Sequence, residues 1–151
     1  MNTSFSRAAL LRVAGATMMT AAALTAGLPA PAQAAPAAPG ERSVTYQVVN
    51  DTDLRLQLTD SEVSEGHWTA RPTRLIKPDK TGSFGTESTE NRGGTAGSVT
   101  YKTTYGEIVI RWDNPWLEDS DFDCETPTGI SCQMDGNDPQ ARTPDITVTL
   151  S

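Results

Sequence analysis

The sequence predicts an all-β fold, a small antiparallel β-sandwich of about seven to nine strands. Three observations predict it: short runs that alternate apolar and polar residues from Ser43 onward, turn residues at regular intervals between them, and no stretch of convincing helical period.

Val44, Tyr46 and Val48 alternate with Thr45 and Gln47, giving a first strand that ends at Asn50-Asp51. Leu54, Leu56 and Leu58 alternate with Arg55 and Gln57, giving a second with one wholly apolar face. The pair reads as a hairpin turning through Asn50 to Asp53. After a polar segment, Gly66-His67-Trp68-Thr69-Ala70 is a short or edge strand, because Pro72 has no N–H for a ladder. Leu75-Ile76 leads into Lys77-Pro78-Asp79-Lys80-Thr81-Gly82, a turn set by the fixed φ of proline and the freedom of glycine. Ser83 to Ser88 pairs beyond it with Phe84 inward. Asn91 to Gly97 is glycine-rich and reads as a loop that uses positive φ.

Val99 and Tyr101 mark a further strand, and Thr104-Tyr105-Gly106 turns into the stretch from Glu107 to Trp116. There Ile108, Ile110 and Trp112 share one face, Val109 and Arg111 the other, and Pro115 ends the strand. The last strand is Asp145 to Leu150. Between Asn114 and Pro144 lies an irregular stretch, longer than the ~12 to 15 residues usual for a structureless loop. It reads as a pinned surface segment that is functional, stapled or hiding one or two strands.

Residues 1–34 read as a secretory signal peptide: Arg7 and Arg12, an uncharged run from Val13 to Leu28, then Ala32-Gln33-Ala34 for cleavage. The run of about 16 residues is short of the ~20 that span a bilayer. Residues 35–42 form a Pro/Ala-rich mobile spacer, and 43–151 the sandwich domain. Removing the signal leaves ten Lys/Arg against nineteen Asp/Glu, a charge of −9. That balance argues against nucleic acid and anionic lipid surfaces, which need basic patches, and leaves zwitterionic partners open. The expected location is extracellular, and the only two cysteines, Cys124 and Cys132, are expected to form a disulfide.

Catalytic chemistry has little support. His67 is the only histidine and no serine sits in a nucleophile elbow. Carboxylates are plentiful, but no spacing selects a glycosidase pair, so no enzyme activity and no cofactor are expected. Residues 118–125 alternate as Asp-x-Asp-x-Asp-x-Glu at their end, yet Cys124 stands where a calcium loop needs glycine and Ile130 where it needs glutamate. A solvated acidic loop is the main reading, a non-standard calcium site its alternative.

The aromatic residues point elsewhere. Trp112 is in phase with the core, whereas Trp116 follows a proline and leads into acids at the rim of a sheet. Exposed tryptophan near tyrosine suits a bilayer interface or a quaternary ammonium group.

Taken in order, the Asn50 turn, Leu54/Leu56/Leu58, Gly66-x-Trp68, Pro72, Ile76-Lys77-Pro78-Asp79, Gly94-Thr95-Ala96-Gly97 with Val99 and Tyr101, and Trp112-Asp113-Asn114-Pro115-Trp116 resemble the aegerolysins. The likeness is strongest to the small component of the binary insecticidal crystal proteins of Bacillus, and it covers about Ser43 to Trp116. It implies a secreted, cytolysin-like protein that binds sphingolipid- or sterol-rich membranes and permeabilises them with a larger pore-forming partner. By that resemblance Trp116, Trp112, Tyr105 and Trp68 supply aromatic surface, while Asp113 and Asn114 fix the turn or meet a cationic headgroup. Fungal members carry a tryptophan before the Gly66 position and an acid before the Gly94 position; here these are Glu65 and Gly93, so their lipid specificity does not transfer. The alternative is a secreted glycan- or protein-binding module without membrane activity.

Overall fold

In the computed structural model, which describes residues 42–151, ten strands build two five-stranded sheets. The strands are β1 Ser43–Asn50, β2 Leu56–Glu65, β3 His67–Ala70, β4 Leu75–Ile76, β5 Lys80–Glu87, β6 Thr95–Lys102, β7 Glu107–Asn114, β8 Asp121–Glu125, β9 Cys132–Asp135 and β10 Asp145–Leu150. One sheet has the order β3-β5-β1-β10-β9, the other β4-β2-β6-β7-β8. Every pairing is antiparallel except β1 with β10. The signal peptide expected over 1–34, and all of the spacer expected over 35–42 except Arg42, lie outside the described residues.

The core follows from alternation. Val44, Tyr46 and Val48 of β1, Ile146, Val148 and Leu150 of β10, Val99 and Tyr101 of β6, and Ile108, Ile110 and Trp112 of β7 are all buried. Fully burying one such side chain stabilises the fold by about 1.5–3 kcal/mol. The middle of the core is aromatic: Tyr46 stacks on Phe84 at 4.6 Å between centroids, and Trp112 meets Tyr46, Phe84 and Trp68 at 6.0, 5.6 and 5.8 Å. Burial pushes the Tyr46 and Tyr101 phenols above their usual range.

Four expectations are corrected. β1 and β2 are no hairpin: they lie in different sheets. The turn between them is an Asn50-centred crossover in which Asn50 Nδ2 donates to Leu54 O (2.8 Å) and Thr52 Oγ1 donates to Asn50 Oδ1 (2.6 Å). The polar segment after Leu58 is the rest of β2, paired with β6 through two register shifts, with polar residues on its solvent face. Gly93, Gly94 and Gly97 do not use positive φ. Gly94 and Gly97 are instead required by close approach, since a Cβ on Gly94 would lie 2.9 Å from both Asn114 O and Pro115 Cα. Finally, residues 121–125 of the acidic segment are not loop but β8, at the edge of the second sheet.

The Cys124–Cys132 disulfide is present, with an S–S distance of 2.00 Å. It joins β8 to β9, the edge strands of opposite sheets.

Candidate functional site

One end of the sandwich gathers the end of β7, the approach to β10 and the first residue of the described chain. Arg42 is 6% exposed and organises it. Its Nη1 donates to Asn114 Oδ1 (3.0 Å) and Ala141 O (3.2 Å), and its Nη2 to Trp116 O (3.0 Å). Although it falls in the expected spacer, Arg42 is part of the fold. All three acceptors are neutral, and among the described residues no carboxylate pairs with it. Burial, followed by repulsion from Arg142, lowers its pKa.

Asn114 completes the clamp from within. Fully buried, it accepts from Arg42 and from Ser120 Oγ (2.9 Å), and its Nδ2 donates to Ser43 O and Arg142 O, both at 3.2 Å. Across the rim, Glu65 Oε1 accepts from the Gly94 N–H at 2.7 Å, which holds the start of β6 against the turn. The Trp116 carbonyl and the Asn114 side chain are thereby held by one guanidinium, with Gly94 close against Asn114 and Pro115.

On this base Trp116 is half-buried and Leu117 stands 88% exposed. The Arg142 guanidinium lies 5.1 Å from the centre of a Trp116 ring, a cation–π contact. Such a contact is worth ~0.5–1 kcal/mol at an exposed site, little enough to be exchanged for another cation.

The six expected contact residues do not form one surface. Trp116 and Asp113 are at this end and accessible. Trp112, 3% exposed, is a core residue whose Nε1 lies 3.5 Å from Thr95 Oγ1, because the alternation that starts at Ile108 carries it inward. Asn114 is the clamp and presents no side chain to a ligand. Trp68 is half-buried, set edge-on to Trp112, with Arg71 5.8 Å from its ring centre. Tyr105, 65% exposed, is at the other end of β7 altogether, in the turn between β6 and β7. The residues that sequence reasoning missed are Arg42 and Arg142. A lone arginine bordering the first strand was a signal for the former; nothing local marks the latter.

Beside the turn, the outer face of the second sheet holds a groove of about 510 Å³. Small residues Ala96, Gly97 and Ser98 of β6 form its floor, and Glu62, Asp113, Asp121 and Asp123 stand around it with Arg111. Arg111 Nη1 pairs with Glu125 at 2.8 Å and with Asp123 at 3.2 Å. The hydrogen bond from Arg111, then its charge, lowers the Glu125 pKa. His67 Nε2 is 2.9 Å from Glu87 Oε1. Among the described residues no group of three or more His, Cys, Asp or Glu is placed to hold a metal ion.

No protein-family model matches the chain, and a search of the curated proteins finds no match. Among solved structures it is similar to the crystal structure of the lipid binding protein Nakanori, with a TM-score of 0.66 and 18% identity over 73% of this chain and 71% of that one. At that identity the likeness shows a shared fold.

Proposed function

We propose that this protein is secreted, binds membrane lipid through the Trp116 end of the sandwich, and permeabilises target membranes together with a larger pore-forming partner. The observation that carries the reading is the Trp116-Leu117 step: an exposed leucine and a half-exposed tryptophan on a backbone immobilised by Arg42 and Asn114. Tryptophan and leucine on a rigid turn suit insertion at the headgroup level, and preorganisation lowers the cost of ordering them. At this end of the sandwich Asp113, Glu118 and Asp119 favour a headgroup that offers a cation, hence contact there with zwitterionic choline or ethanolamine lipids over anionic ones. Similarity in fold to a protein described as lipid binding supports the reading, as do a disulfide and the expected signal peptide for export.

Liposome sedimentation tests it. The parent should sediment with phosphatidylcholine or sphingomyelin vesicles, and Trp116→Ala, folded by circular dichroism, should bind at least about tenfold more weakly. Equal binding by the two proteins, or no binding by the parent to any composition, would sink the proposal. The groove along Ala96, Gly97 and Ser98, lined by carboxylates, Arg111 and part of Trp112, favours one other reading, a glycan- or protein-binding module. Saturable glycan binding without vesicle binding would select it.

A further inference from the structure

The end of the sandwich remote from Trp116 has a surface of its own. Leu75 of β4, Gln57 of β2 and Lys102 of β6 stand side by side in register, each strand about 4.8 Å from the next. With Arg55, Thr103 and Thr104 they line a groove of about 660 Å³, and none of the six is acidic. Among the described residues neither Arg55 nor Lys102 has a carboxylate within 4.0 Å, although Glu107 is the cross-strand partner of Lys102. The Thr103 hydroxyl donates to Gly106 O (2.9 Å) and accepts from Tyr105 N (3.1 Å), which fixes the turn that displays Tyr105. Leu75 and Tyr105, 43% and 65% exposed, are two of the three exposed large hydrophobics among the described residues.

Charge is distributed unevenly between the ends. Segments 51–55, 74–80 and 102–107 carry five of the ten Lys/Arg in residues 42–151 but only four of the eighteen Asp/Glu. A phosphate is therefore repelled by most of the surface and admitted here. Cations on long apolar stems, a tyrosine and a leucine are the side chains that settle at a headgroup layer.

We propose that this groove binds the phosphate of a membrane phospholipid, with Arg55 and Lys102 on the phosphate oxygens and Leu75 and Tyr105 entering the interface. The guanidinium fork of Arg55 can hold two oxygens at once, and Lys102 adds a point charge. Since β7 runs from this end to the Trp116 turn, the two ends face opposite ways, and a protein engaged at both bridges two bilayers. The bridging rests on the function proposed above; the phosphate groove does not.

The test uses vesicles of phosphatidylcholine with and without phosphatidylglycerol, read by sedimentation and by turbidity, together with inorganic phosphate titrated against backbone amide resonances. Phosphate should shift residues 55 and 102 to 104 in the parent and not in R55Q/K102Q, whose substitutions are on exposed side chains. The double variant should bind anionic vesicles roughly 25-fold more weakly, at about fivefold per cation removed. The parent should aggregate vesicles in a salt-sensitive way, and neither R55Q/K102Q nor Trp116→Ala should do so. If Trp116→Ala behaves as the parent throughout, the function proposed above fails, while loss of anionic binding in R55Q/K102Q still supports the groove. Unchanged vesicle binding by R55Q/K102Q overturns the lipid assignment, even if phosphate shifts the amides, because the site then serves a soluble phosphate.

Discussion

Arg42 Nη1 donates to Asn114 Oδ1 at 3.0 Å across 72 positions of sequence, so the residue just before β1 holds the residue that ends β7. The bond sits directly beneath Trp116, whose carbonyl accepts from the same guanidinium. Replacing Asn114 by Ala leaves a buried cation and two backbone carbonyls short of partners. A loss of about 2–4 kcal/mol in urea unfolding is expected. Arg42→Lys in the otherwise unchanged protein should also lose stability, because an ammonium cannot reach all three acceptors that the guanidinium fork spans.

Gly97 tests the close approach of β6 to the core. A Cβ there would meet Glu62 O and lie 2.6 Å from Trp112 Cζ2. Neither is the far end of a flexible chain: one is backbone, and the other is a ring packed among Tyr46, Phe84 and Trp68. Gly97→Ala should cost about 1–3 kcal/mol by overpacking and alter the near-ultraviolet circular dichroism. A variant as stable as the parent with an unchanged spectrum would contradict the placement of Trp112.

Reducing the disulfide should lower stability without unfolding the domain at room temperature. The bond links residues eight apart, and closing so small a loop is worth about 2–3 kcal/mol in the chain-entropy model. Cys124→Ser with Cys132→Ser should therefore melt roughly 10 °C lower in calorimetry. Lipid sedimentation well below that transition should match the parent, because neither cysteine belongs to the Trp116 turn.

Glu125 carries a pH prediction whose sign is fixed by Arg111. The hydrogen bond from Arg111, then its charge, lowers the folded pKa below the ordinary 4.5. The ion pair therefore contributes in full above pH 4.5 and is lost as the pH falls through the depressed value. Carboxyl-carbon NMR should show Glu125 titrating below 4.5 in the parent and close to 4.5 in Arg111→Gln. Identical curves would mean that the pair does not persist in solution.

Strands with one buried and one wet face were legible, because Val44/Tyr46/Val48, Ile108/Ile110/Trp112 and Ile146/Val148/Leu150 alternate without interruption. Partnership was not, since alternation says which face is buried and not which strand lies beside it. Thus β1 and β2, adjacent in sequence, were read as a hairpin although they belong to opposite sheets. The polar half of β2 was hidden because its inward positions are Ser61 and Val63 and its outward ones mostly carry charge. The candidate site was legible only in part. The place of Trp116 at the rim was legible from its proline, but Tyr105 was grouped with it although an eight-residue strand separates their ends. Arg42 and Arg142 act across 72 and 28 positions to Asn114, by contacts that no local pattern announces.

β8 closes the second sheet, so one side of its backbone has no neighbour. An unpaired edge is a template on which another chain can add a strand. Here Asp121, Asp123 and Glu125 recur at every second residue of that edge, three carboxylates against the one guanidinium of Arg111, so a second copy laid alongside would bring two net-negative rows together. At neutral pH this repulsion keeps the edge single. In acid strong enough to neutralise the row, this local guard on β8 is lost, and what keeps one copy from the next is then the net positive charge of the Lys and Arg that no longer have carboxylates to balance them.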